Sequence, residues 1–107
     1  MAIIEWTNEA WHLYNDYLEN AKSEYGAKTG RRWERELLAI YDRLKHYPTS
    51  YPIEELLQDR YPVYRRCNMM SRRFKLIYFY DKVKDVVTIM DIWDTRMDPK
   101  TLTKRIR

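Results

Sequence analysis

Apolar positions change their period along this chain, and each change marks an element. Residues 2–6 (AIIEW) form a short apolar run suited to a strand. Thr7 follows as an N-cap, and Glu9 sits in the first turn, where the helix dipole favours negative charge. Trp11, Tyr14, Leu18, Ala21 and Tyr25 then recur at helical spacing, with Ala10 and Tyr17 beside them, up to Gly26. A second helix is expected after Thr29–Gly30, with Trp33, Leu37, Ile40, Leu44 and Tyr47 as its apolar stripe and Pro48 as its stop. So tight a connection predicts an antiparallel helical hairpin.

Residues 48–62 (PTSYPIEELLQDRYP) contain three prolines and read as an irregular connector with one helical turn at IEELL. The period then becomes two. VYRRCNM, FKLIYFY and VVTIMDIW are three strand candidates separated by the short turns MSRR and DKVKD, which makes an antiparallel meander. In the middle strand Phe74, Leu76, Tyr78 and Tyr80 share one face, and Lys75, Ile77 and Phe79 the other. Apolar residues on both faces predict a central strand covered on both sides. The tail DPKTLTKRIR either closes as a helical turn or stays free. The expected fold class is α+β, in the order β-α-α-β-β-β: an N-terminal strand and an antiparallel helical hairpin packed on an antiparallel sheet, completed by the C-terminal three-strand meander. The 107 residues make one domain, without repeats or linkers.

Composition excludes several classes of function. No stretch approaches the ~18 consecutive apolar residues of a membrane span. The N-terminus MAIIEWTNEAW carries no basic leader followed by an apolar run, so a cytoplasmic protein is expected. The single cysteine, Cys67, excludes an internal disulfide and suits a reducing compartment. It reads as a small core residue rather than a nucleophile, with no histidine near it in sequence. His12 and His46 read as surface residues near Asp16 and Lys45. No metal-ligand spacing occurs, and no cofactor is implied.

The net charge of +4 conceals a segregation. Residues 1–59 carry 7 basic against 11 acidic side chains, a net of −4. Residues 60–84 carry 8 (Arg60, Arg65, Arg66, Arg72, Arg73, Lys75, Lys82, Lys84) against Asp81 alone, a net of +7. Residues 85–99 return to −3, and residues 100–107 add +4. Such segregation points to an acidic or polyanionic partner for one part of the surface. The plainer reading is that the arginines keep the solvent face and edge of a sheet soluble.

With these elements in order, the chain resembles the RelE/ParE superfamily of toxins from bacterial type II toxin–antitoxin systems, the plasmid-stabilisation type. The resemblance is carried by IIEWTNEAW, a hairpin whose second arm ends LKHYP, a connector into the YRR strand, then FKLIYFY and VVTIMDIWDTRMDP. It implies a growth-arresting toxin neutralised by a cognate antitoxin in a hetero-oligomer, with no membrane involved. The antitoxin would wrap the hairpin and sheet with an amphipathic, acidic segment that folds on binding. Two mechanisms are open. RelE-like members are metal-independent, ribosome-dependent mRNA endoribonucleases; ParE-like members inhibit DNA gyrase by binding. A non-toxic nucleic-acid-binding or assembly module, or a degenerate inactive toxin, is the alternative.

Laid on the RelE pattern, the phosphate-binding cations fall on Arg65, Lys75 and Arg96, which would stabilise charge gathering on a scissile phosphate. A companion lysine of the pattern falls on Cys67 and its tyrosine on Leu102, two departures that remove the proton-transfer group. Tyr64, Arg66, Arg72, Arg73, Lys104 and Arg105 are the further residues expected to bind nucleic acid or target. The long hairpin is more like the ParE branch. Each cation also has a structural reading: Arg65 and Arg66 alternate faces of one strand, and Lys75 could pair with a cross-strand acid such as Asp91. Arg96 sits between Asp94 and Asp98, which either orient or neutralise it. Tyr51, Tyr61 and Tyr64 lie around the connector, on no periodic stripe.

Overall fold

A computed structural model describes residues 1–106. The elements run β1 (Ile3–Trp6), α1 (Asn8–Tyr25), α2 (Ala27–His46), a single 3-10 turn (Glu55–Leu57), β2 (Tyr64–Met69), β3 (Phe74–Asp81), β4 (Val86–Asp94) and α3 (Pro99–Arg105). The expected β-α-α-β-β-β order is present, and the tail closes as α3. Asp98 caps that helix by accepting from Lys100 N at 3.0 Å, and Pro99 stands at its start. Among the described residues, no helix is long and apolar enough to cross a membrane.

Thr7 caps α1 as its sequence position predicts, its hydroxyl accepting from Ala10 N at 3.1 Å. The hairpin turns more tightly than expected. α2 begins at Ala27, three residues before Gly30, because Gly26 alone makes the turn with φ 89° and ψ 175°, a conformation essentially reserved for glycine. Gly30 lies inside α2, buried against the stem of Lys22.

The four strands are ordered β1-β4-β3-β2. β2, β3 and β4 form the expected antiparallel meander, whereas β1 joins β4 in parallel, with Ile3 opposite Val86 and Trp6 opposite Ile89, so the sheet is mixed. The helical hairpin covers one face. Tyr14, Leu18, Trp33, Leu37 and Leu44 pack there on Cys67, Leu76, Tyr78, Ile89 and Ile92. A smaller core on the far face joins Tyr64, Ile77 and Trp93 to Leu57 of the connector and to Leu102 and Ile106 of the tail. The two faces of β3 are those its alternation predicts. β4 departs from strict alternation: a register shift opposite Ile77/Tyr78 pairs Ile77 with Asp91 and Tyr78 with Ile89. The extra residue, Met90, keeps both Ile89 and Ile92 under the hairpin.

Candidate functional site

The strand register decides which cations can share a site. Arg65 stands opposite Tyr78 on the hairpin face, while Lys75 stands opposite Asn68 and Trp93 on the far face. Sheet faces alternate residue by residue, so Arg66 rather than Arg65 lies on the side of Lys75. Each expected cation is already engaged. Arg65 Nη1 donates to the Tyr51 carbonyl at 2.8 Å, and Arg66 Nη1 to that of Ile53 at 2.6 Å. Lys75 pairs with Glu54, 3.1 Å from Oε2, and not with Asp91. Asp91 instead takes Arg105, 2.9 Å away, in a contact that ties α3 to β4. Burial pushes the Asp91 carboxyl up from its ordinary value, and the Arg105 guanidinium pulls it part-way back.

Arg96 leaves the end of β4 in a chelate with Asp94. The Asp94 carboxylate accepts from Arg96 N, Nε and Nη2 at 3.0, 3.1 and 2.9 Å, which holds its pKa below the usual carboxylate range. Asp98 does not join them, being the cap of α3. Leu102, where the RelE pattern has its tyrosine, is wholly buried in the far-face core. Tyr64 is buried beside Phe79, and burial raises its hydroxyl pKa. Cys67 is a core residue whose thiol burial pushes up, as its sequence reading anticipates. His46 is exposed, its Nδ1 2.9 Å from the Asp42 carbonyl. Arg65, Lys75 and Arg96 therefore point to three different environments and enclose no common phosphate position.

Two hollows flank the β2–β3 turn. The larger, about 610 Å³, opens beside the Gly26 end of the hairpin, where Tyr17, Tyr25, Arg32, Phe74, Arg73 and Arg96 meet. The smaller, about 450 Å³, lies on the other side of the turn and brings Arg66, Arg72 and Lys75 together beside Asn68, Thr95 and Glu55. Arg72 and Arg73 are exposed, as is Lys104 on α3.

No family model matches the chain, and a search of curated proteins finds no match. Among solved structures, a chain titled "Chromosomal ParDE TA system from P. aeruginosa" superposes with a TM-score of 0.65 at 12% identity, covering 88% of this chain and 96% of that one. This chain shares the fold of that chain. At 12% identity the likeness is one of architecture over 88% of this chain, not of side chains.

Within this fold, sequence reasoning missed Glu54, the buried acid that takes up Lys75, and it missed the Tyr25–Arg32 side of the larger cleft. Glu54 sits in the proline-rich connector, where no periodicity signals burial. Tyr25 carries a fair signal in retrospect: the last residue of an apolar stripe, next to the turning Gly26, it is 63% exposed.

Proposed function

We propose that this chain is the toxin of a type II toxin–antitoxin module, neutralised by a cognate antitoxin, and that it works by binding its target, DNA gyrase, rather than by cutting mRNA. The observation that carries the choice is the divergence of the three cations. Lys75 faces Glu54 on one side of the sheet, Arg65 is bonded to a carbonyl on the other, and Arg96 is chelated by Asp94. Metal-independent cleavage by a ribose 2′-hydroxyl needs cations converging on one phosphate and a group to move protons. Leu102, buried in the core, offers neither. The shared fold supports the toxin reading, and the exposed Arg72, Arg73 and Lys104, with the half-buried Arg66, supply a docking surface for the target.

Induced expression tests the reading directly. The expected result is growth arrest with intact transcripts and, with purified protein, loss of gyrase supercoiling. Harmless induction would sink the toxin reading. Transcripts cut in the ribosomal A site, and spared when Arg96→Ala is expressed, would establish the nuclease instead.

A further inference from the structure

Met70, Ser71 and Arg72, in the turn between β2 and β3, have φ of 50°, 58° and 68°. None of the three is glycine, so the local sequence does not favour this left-handed run, and contacts from elsewhere must hold it. One set comes from α2. The Glu36 carboxylate is divided between two donors, Oε1 accepting from Met70 N and Oε2 from Arg32 Nε, each at 2.7 Å. Arg32 Nη2 donates onward to Ser71 Oγ at 2.9 Å. The other set comes from the end of β4. Thr95 N donates to the Arg73 carbonyl at 3.0 Å, and the Thr95 hydroxyl shares its proton between the Arg72 and Arg73 carbonyls, 3.1 and 2.9 Å away. The β3–β4 turn, by contrast, is closed locally, Asp81 Oδ1 accepting from Val83 N and Lys84 N at 3.0 and 3.2 Å.

These contacts grip the backbone of the turn and the Ser71 hydroxyl, and they leave the arginine side chains alone. Arg72 and Arg73 are exposed, and neither makes an ion pair among the described residues. The turn sends them apart, Arg72 into the smaller hollow beside Arg66 and Lys75, and Arg73 into the larger beside Arg96. An unheld turn of ordinary residues would sample several backbone conformations, each re-aiming both arginines at once. A turn fixed in advance spares a docking event the cost of ordering it.

We propose that Glu36 and Thr95 are positioning residues of the docking surface: from two separate elements they lock the 70–73 turn and so fix where Arg72 and Arg73 stand. The lock is a property of the folded chain; its use in docking rests on the gyrase reading.

The test pairs a readout of the turn with one of the target, on the whole purified chain. Trypsin needs an extended segment, so cleavage after Arg72 or Arg73 reports how often the turn opens, and mass spectrometry assigns each cut. Glu36→Ala and Thr95→Val should each speed those cuts about 10-fold, while cuts after Lys82 and Lys84 in the locally closed turn change by less than about twofold. Global destabilisation would move both sets alike. Glu36→Gln keeps the acceptor and Thr95→Ser the hydroxyl, so both should stay within about threefold of the parent. In gyrase supercoiling, Glu36→Ala and Thr95→Val should raise the concentration for half inhibition about 10-fold, as Arg72→Ala should, with the two conservative variants near the parent. Unchanged cleavage at the 70–73 turn, or cleavage that rises equally after Lys82 and Lys84, overturns the lock. Faster cleavage at the turn with unchanged gyrase inhibition overturns the positioning role. A parent chain that leaves gyrase untouched removes the gyrase reading and the positioning role with it, while the cleavage rates still decide the lock.

Discussion

Lys75 of β3 and Glu54 of the connector form an ion pair across the far face of the sheet, with Nζ 3.1 Å from Oε2 of a carboxylate that is 1% exposed. Glu54 also caps the 3-10 turn, accepting from Leu56 N at 3.3 Å. Removing the cation strands a buried negative charge. Lys75→Met should therefore destabilise the fold by about 3 kcal/mol in urea unfolding, and Lys75→Met with Glu54→Gln should recover most of that loss. A double variant no more stable than the single one would show that the pair does not couple. Neither variant should act through a lost phosphate contact.

The Asp94–Arg96 chelate sets a pH dependence. Asp94 has a folded pKa below its unfolded value of about 3.9, chiefly through the hydrogen bonds from Arg96. The stability it contributes is fully present above that unfolded value and is lost as pH falls through the folded one. Asp91 works in the opposite sense, since its raised pKa makes proton uptake favour the folded state. Thermal unfolding followed between pH 2 and 6 should accordingly fall less steeply with acid in Asp94→Asn than in the parent chain. Equal slopes would remove the chelate from the account.

The hairpin turn separates its two glycines by role. Gly26, at φ 89° and ψ 175°, holds a backbone that a Cβ disfavours even though nothing lies within 4 Å of one. Gly26→Ala should cost about 1–3 kcal/mol. At Gly30 a Cβ would meet Lys22 Cγ at 2.6 Å, near the α1 backbone, so the lysine must change rotamer or the helices must part. Gly30→Ala should fall between neutral and about 2 kcal/mol less stable, the crowding offsetting the helix gain of about 1 kcal/mol. Chemical denaturation of the two variants separates backbone strain from crowding.

Leu102 gives the sharpest contrast between a chemical and a packing role. It is fully buried with Leu57, Ile77 and Trp93, so Leu102→Ala should cost about 2–5 kcal/mol. Leu102→Tyr should also destabilise, by about 1–3 kcal/mol through overpacking, and confer no RNA cleavage. Transcript mapping on the tyrosine variant decides the matter, since new cleavage would mean that one residue separates this chain from a nuclease.

Much of this architecture is legible in the chain itself. The helical stripes, the turn at Gly26, the faces of β3 and the burial of Cys67 all follow from period and residue type, because each is fixed by local geometry. What depends on register is not legible. Arg65 and Lys75 align in a family pattern, yet the number of residues in the β2–β3 turn and the hand of its backbone determine which face each takes. Three left-handed residues there give no sequence signal, none being glycine or asparagine. The Met90 bulge and the Asp91–Arg105 pair are hidden likewise, since each depends on a partner from another element. Alternation alone would set Asp91 and Ile89 on the same face; the bulge separates them.

The parallel pairing of β1 with β4 has a consequence for how the molecule is made. Ile3 finds its partner only at Val86, so the first strand synthesised stays without a sheet until nearly the last has emerged. Until then the hairpin has no complete surface to cover, and the apolar AIIEW run remains an open edge. Closing so long a loop costs entropy before its contacts repay it, so completion of the sheet waits on β4. A partner that reads the finished surface thus meets it only once β4 has joined β1.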